Sequence, residues 1–215
     1  MKFLTSKILT LILLISGLSP ISFALASAVD VSPEQLIKEM SESFEVAIVA
    51  NQEKIKLTPK LTEELATQYI IPEINFKLMS RYILGKNWKK ANPQEQQEFV
   101  TLFTQLLIRF YSKAFNELIE KHTLKQGMIS YPVSRNKKNS RYVRIKTAIK
   151  INNDTPIVHV HYSLYQNKMK QWHIYDFTIE GISLVTSYRS SFNQIIQKEK
   201  VSGLLEHLRK KISKL

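Results

Sequence analysis

Three histidines and two acids are the first residues of this sequence with the means for chemistry. His159 and His161 lie two apart, so on a strand they share a face, and His173 follows on the next apolar run. Three imidazoles within reach of one another could hold zinc. No carboxylate joins them, and Ser163 and Tyr165 continue the same row. The pattern reads as a half-polar strand face, and no metal is expected. Asp176 and Glu180 stand near the end of the last apolar run. A carboxylate enclosed between a sheet and helices could act as a general base with a raised pKa. The alternative is structural, with Glu180 beside a helix N-terminus and Asp176 bonded to a neighbouring loop. No His–Asp or paired-carboxylate spacing accompanies either acid. Gly181-Ile182-Ser183 lacks the second glycine of a nucleophile elbow, and the P-loop, dinucleotide and HExxH patterns are missing. The chain has no cysteine, which excludes thiol nucleophiles, thiolate metal sites and disulfides. No catalytic residue or cofactor is assigned.

The elements that must position these residues are legible from their starts. Ser32-Pro33-Glu34-Gln35 offers a capping oxygen, a proline at the first helical position and a glutamine at the third. Thr58-Pro59 repeats the cap and proline, and Asn92-Pro93-Gln94-Glu95 repeats them with a glutamate closing the box. These predict helices over about 33–52, 59–71 and 93–121, with a short one near 74–84. Along 93–121, Phe99, Phe103, Leu106 and Phe110 recur at helical steps. Leu107, Tyr111, Phe115 and Leu118 widen the apolar side, so this helix must be wrapped on more than one side. The period then falls to two. Val143, Ile145, Thr147 and Ile149 alternate with Tyr142, Arg144, Lys146 and Ala148. Val158, Val160, Tyr162 and Leu164 alternate with His159, His161, Ser163 and Tyr165, and Trp172 and Ile174 open a third run. With one more strand near 127–134 this is an antiparallel meander. Helices over about 182–198 and 202–214 follow. The fold class is α+β, a curved antiparallel sheet of four to five strands packed with helices.

The first residues read as an address. Lys2 and Lys7 precede an apolar stretch from Ile8 to Leu18, and Ala24-Leu25-Ala26 supplies a small-residue cleavage site. Cleavage is expected after Ala26, with Ala28 as second choice. Residues 1–26 are then a signal peptide and 27–215 one domain; an uncleaved anchor is the alternative. The stretch is shorter than the roughly 20 residues of a membrane span. The net charge is +13 across 215 residues. On an exported protein such charge suits anionic membrane surfaces or acidic partners rather than nucleic acid. Arg135, Lys137, Lys138, Arg141, Arg144 and Lys146 crowd an expected hairpin between strands. A second basic cluster, including Arg209, Lys210, Lys211 and Lys214, closes the chain. Each is a solubilising surface or a docking site.

Two segments carry a family likeness. One is Ile83-Leu84-Gly85-Lys86-Asn87-Trp88-Lys89-Lys90 running through Asn92-Pro93 to Phe99. The other is Trp172-His173-Ile174-Tyr175-Asp176-Phe177-Thr178-Ile179-Glu180-Gly181-Ile182-Ser183-Leu184-Val185. Both resemble the MlaC family, periplasmic phospholipid-binding proteins also called the toluene-tolerance auxiliary component. The likeness extends over essentially the whole chain after the address. Departures fall at Asn87, at Lys89 and in the basic hairpin 135–146. The resemblance implies a deep apolar pocket between sheet and helices that holds acyl chains. It implies a monomeric shuttle carrying phospholipid across the periplasm, which maintains outer-membrane lipid asymmetry. The partners it implies are an outer-membrane lipoprotein–porin complex and an inner-membrane ABC transporter with an MCE-domain subunit. It brings no catalytic residues.

Periodicity suggests the lining. Phe99, Phe103, Leu106 and Phe110 are expected on the helix side. Val143, Ile145, Val158, Val160, Tyr162, Trp172 and Ile174 are expected on the sheet side. A slip of one residue would turn the opposite strand row inward. Arg135, Lys137, Lys138 and Arg141 are the expected partner-docking residues. Two other readings remain open. One is an enzyme of similar cone-shaped fold with Asp176 as general base on a small apolar substrate. The other is a secreted module whose basic patches bind polyanions.

Overall fold

Caps decide where the helices begin. In the computed structural model, which describes residues 31–215, Ser32 Oγ accepts from the Gln35 amide at 3.1 Å and opens α1, Pro33–Leu57. Asn92 Oδ1 accepts from the Glu95 amide and the Glu95 carboxylate accepts from the Asn92 amide, each at 2.9 Å. This closed box opens α4, Pro93–Lys121. Thr58 behaves otherwise than its spacing predicts. The buried Ile55 carries α1 beyond 52, and Thr58 ends that helix with its amide on the Lys54 carbonyl at 2.8 Å. Its hydroxyl caps nothing, and a turn through Pro59 delays α2 to Leu61–Tyr69. Asn75 caps α3, Phe76–Leu84, by accepting from the Leu78 amide at 2.8 Å. The proposed signal segment 1–26 lies outside the described residues. No described helix is long and apolar enough to cross a membrane.

The sheet is a meander of five antiparallel strands in sequence order. They are β1 Ile129–Ser130, β2 Tyr142–Ile149, β3 Val158–Gln166, β4 Trp172–Ile179 and β5 Ile182–Ser183. β1 is far shorter than expected, and the basic stretch is a loop from 131 to 141 rather than a paired hairpin. The loop still follows the edge of β2. The Lys146 amide donates to Ser134 Oγ at 2.9 Å and the Arg144 amide to Asn136 Oδ1 at 2.8 Å. Side chains thus take over the ladder and cover an edge that would otherwise invite pairing.

β4 and β5 are joined by Glu180 and Gly181, both with positive φ (48° and 79°). That geometry matches the right-handed twist of the strands and favours glycine at the second place. Residues 182 and 183 therefore pair in the sheet instead of beginning a helix. α5, Leu184–Ile212, starts after them and breaks at Lys200, where φ is 61° and ψ is −171°. The expected division between two C-terminal helices is this break.

Three apolar clusters hold these elements together. Phe99, Phe103 and Leu106 of α4 meet Met79 of α3 and Leu204 and Leu208 of α5. Ile37 and Met40 of α1 lie against Ile145, Tyr162, Leu164 and Ile174 of the sheet. Ile48 and Ile55 of α1 join Leu65 of α2, Ile119 of α4 and Leu124.

Candidate functional site

Between the three clusters lies a gap that none of them fills. It is an apolar cavity of about 210 Å³. α4 supplies Leu107, Ile108, Tyr111, Ser112 and Phe115. Ala66 and Thr62 of α2 and Ile70, Ile71 and Ile74 beyond it form a second wall, with Phe44 from α1. The sheet contributes Val160, Tyr162, Phe177 and Ile179, and Leu184 stands at the start of α5. No lining residue is charged. Burial pushes the Tyr162 hydroxyl up to about 12, opposed in part by the nearby Thr147 hydroxyl. Burial, with a small push from Tyr188, raises Tyr111 to about 12 as well. Both phenols are neutral at physiological pH. Thr62 Oγ1 donates to Asn116 Oδ1 at 2.5 Å, which turns its polarity away from the space. Such a wall can enclose a hydrocarbon chain and offers nothing to bind a metal or drive a proton transfer.

The expected lining is placed unevenly. Val160 and Tyr162 border the cavity. The strand row itself is the inward one, but its other half is covered by α1. Ile145 and Ile174 are buried there, with Val143 and Trp172 packed against them. Val158 is half-buried opposite Ile149 near the end of the sheet. On α4 the face differs. Phe99, Phe103 and Leu106 are fully buried towards α3 and α5, with Phe99 and Phe103 stacked at 5.6 Å. Phe110 is 43% exposed and meets Tyr111 edge-on at 5.3 Å. The cavity takes the neighbouring face through Leu107, Tyr111 and Phe115, about 100° around the helix. The widened apolar side of α4 was the available signal. Ala66, Ile70 and Ile71 carried none, because a short amphipathic helix looks the same over a cavity as over a filled core.

The other candidates fall elsewhere. Both Asp176 oxygens are engaged: Oδ2 accepts from Ser183 Oγ at 2.6 Å and Oδ1 from the Val185 amide at 3.0 Å. Ser183 Oγ in turn accepts from the Thr186 amide at 3.1 Å, so the pair caps α5. Glu180 accepts from the His159 amide and fastens the turn to β3. His159 and His161 do share the outer face, but His173 pairs with Tyr165 at the far end of β4 from them. Among the described residues no histidine–carboxylate group is arranged to hold a metal. Arg135, Lys137 and Lys138 are exposed on the 131–141 loop. Arg141 is exposed too, but its guanidinium donates to the Gln166 carbonyl at 2.9 and 3.2 Å.

The two family-like segments turn out to be joints of the frame. Gly85 ends α3 at φ 53°, Asn87 donates to Asn193 of α5 at 2.9 Å, and the Trp88 carbonyl accepts from Gln96 of α4. Comparison with known proteins agrees. A curated relative from Haemophilus influenzae, the intermembrane phospholipid transport system binding protein MlaC, is 20% identical over 185 residues. The match covers 86% of this chain and 84% of the relative. The solved structure of a phospholipid-binding protein from Ralstonia solanacearum, in complex with a phospholipid, superposes with a TM-score of 0.73 at 23% identity. It covers 84% of this chain and 97% of the other, and so shares the fold. The model of the MlaC protein family matches residues 38–210. The chain belongs to the MlaC family.

Proposed function

We propose that this protein binds phospholipid and carries it across the periplasm. The uncharged apolar cavity between α1, α2, α4 and the sheet carries the reading. At about 210 Å³ it is smaller than the roughly 300–1,000 Å³ of pockets that enclose drug-sized ligands. The acyl part of a lipid enters it as α2 and the turn at 70–74 give way. The named relatives, one a phospholipid transport binding protein and one solved with a phospholipid, support the same cargo. Residues 1–26 serve as the export signal. The shuttle exchanges lipid with an outer-membrane lipoprotein–porin complex and an inner-membrane ABC transporter bearing an MCE-domain subunit, docking through the basic surface around 135–141.

Enzyme chemistry at Asp176 is disfavoured, because capping α5 occupies both of its oxygens. The test is direct. Protein purified under native conditions is extracted and its lipid quantified by mass spectrometry. About one phospholipid per chain is expected. Lipid-free protein that also fails to take up phospholipid from vesicles would overturn the proposal.

A further inference from the structure

The sheet has a second concave site on the face turned away from the cavity. Tyr142, Arg144 and Lys146 alternate along β2, so their side chains leave on one face about 7 Å apart. They border a groove of about 680 Å³ together with Arg135, Ser163 and Tyr175. Its loop wall is fixed, because Ser134 and Asn136 are bonded to the β2 backbone. Beside it, Tyr142, Tyr165 and Tyr175 form a triangle of rings 6.1 to 6.5 Å apart, and Tyr82 of α3 extends the platform at 5.3 Å from Tyr175. Among the described residues Arg135, Arg144 and Lys146 form no ion pair with a carboxylate. Of the acids near them in register, Asp176 opposite Ser163 is engaged in capping α5, and Glu180, in a cleft beside Lys146, accepts from the His159 amide.

We infer that this groove is a docking site for an acidic segment of a partner protein, which sets carboxylates against Arg135, Arg144 and Lys146 and an apolar side chain on the tyrosine triangle. Tyrosine and arginine are the types enriched where protein partners anchor. A bilayer surface is broad and meets protruding residues first, here Lys137 and Lys138 at the loop tip. The groove floor is reached by something as narrow as a peptide. Cargo and partner then occupy opposite faces of one sheet, so docking leaves the cavity wall uncovered. The inference rests on the shuttle reading for its purpose, but its peptide titration uses no added lipid.

A short fluorescent peptide rich in glutamate and containing phenylalanine is titrated into the folded protein and followed by anisotropy. Arg144→Glu with Lys146→Glu should weaken binding at least about tenfold, since reversed charges repel as well as fail to pair. Tyr142→Ala should weaken it severalfold. Reversing Lys210, Lys211 and Lys214 removes more charge elsewhere and should leave binding near wild type. Where the β2 variants fail to fold, amide shifts of the wild-type protein on titration should map to 135–136, 142–146, 163 and 175. The proposal is overturned if peptide binding survives the β2 reversals, if the C-terminal reversals weaken it equally, or if the shifts map elsewhere. It is also overturned if the β2 reversals spare the peptide but abolish binding to phosphatidylglycerol vesicles, which would make the groove a membrane contact. Lipid content is measured on the same samples. Mapped peptide binding by a protein without lipid would uphold the groove and count against the shuttle.

Discussion

Ala66→Phe separates the cavity from the core more cleanly than a charge would. Ala66 lies on α2, half-buried, with its methyl group on the cavity wall. A phenyl ring there grows into empty space, so the fold has no packed neighbour to displace. Stability should hold or rise slightly, because void next to side chains forfeits dispersion contacts. The lipid loses what the ring gains. If the ring occupies the room of about four chain methylenes at roughly 0.8 kcal/mol each, retention weakens by about 3 kcal/mol. That is a factor of about a hundred in affinity. Release of a pyrene-labelled phospholipid, the lipid-to-protein ratio from mass spectrometry and a urea midpoint are measured on one preparation. Phe103→Leu is the contrasting variant. Phe103 is packed between α3, α4 and α5, so its truncation should lower the urea midpoint and leave lipid release unchanged. An Ala66→Phe protein of normal stability that holds lipid as tightly as wild type would refute the assignment. So would a Phe103→Leu protein that loses lipid while Ala66→Phe keeps it, which would return the lining to the face expected from periodicity.

Asp176→Asn should destabilise by about 1–3 kcal/mol in urea melts, because an amide cannot accept both bonds that cap α5, and lipid retention should persist. Tyr162 makes the fold sensitive to alkali. Its pKa is about 12 in the folded protein against 10.0 ordinarily, so its contribution is intact below pH 10 and is lost as pH rises towards 12. Tyr162→Phe should remove about 2–3 kcal/mol of that alkaline loss from a stability series. Lys200 holds φ 61° and ψ −171°, a region nearly reserved for glycine. Lys200→Gly should therefore raise stability by about 1 kcal/mol of relieved strain, seen as a higher thermal midpoint.

How much of this was readable in advance depended on whether the deciding interaction is local. The box at Asn92 and Glu95 is, and α4 begins where it says. The cap at Ser32 is local too, whereas Thr58 is overruled by the burial of Ile55 one turn earlier. Strand parity needs only alternation, and it placed Val160 and Tyr162 on the inward side. Which part of that inward row would meet a cavity depended on where α1 lies, and nothing in β2 or β4 encodes it. α4 was the harder case. Its side towards α3 and α5 and its side towards α2 and the sheet are both apolar, and only long-range packing decides which is filled solid. The paired basic hairpin failed for the opposite reason. Its polar side chains, Ser134 and Asn136, replaced the backbone ladder that alternation assumes.

One local irregularity connects the two faces of the sheet. Between β3 and β4 the register steps from Ser163 opposite Asp176 to Leu164 opposite Ile174, which leaves Tyr175 as an extra residue. In an unbroken strand, Phe177 and Ile179 would lie on the face opposite Ile174, because sides alternate at every residue. The bulge adds one step and reverses that parity. Phe177 now opposes Tyr162, Ile179 opposes Val160, and both enter the cavity wall. Asp176, carried to the other face, meets Ser183 and Val185 at the start of α5. Tyr175 is left on the outer face beside Tyr142 and Tyr165. A single inserted residue therefore supplies part of the apolar wall, the anchor of the last helix and one corner of the aromatic platform. Periodicity alone does not reveal it, since Ile174, Phe177 and Ile179 read as one hydrophobic run.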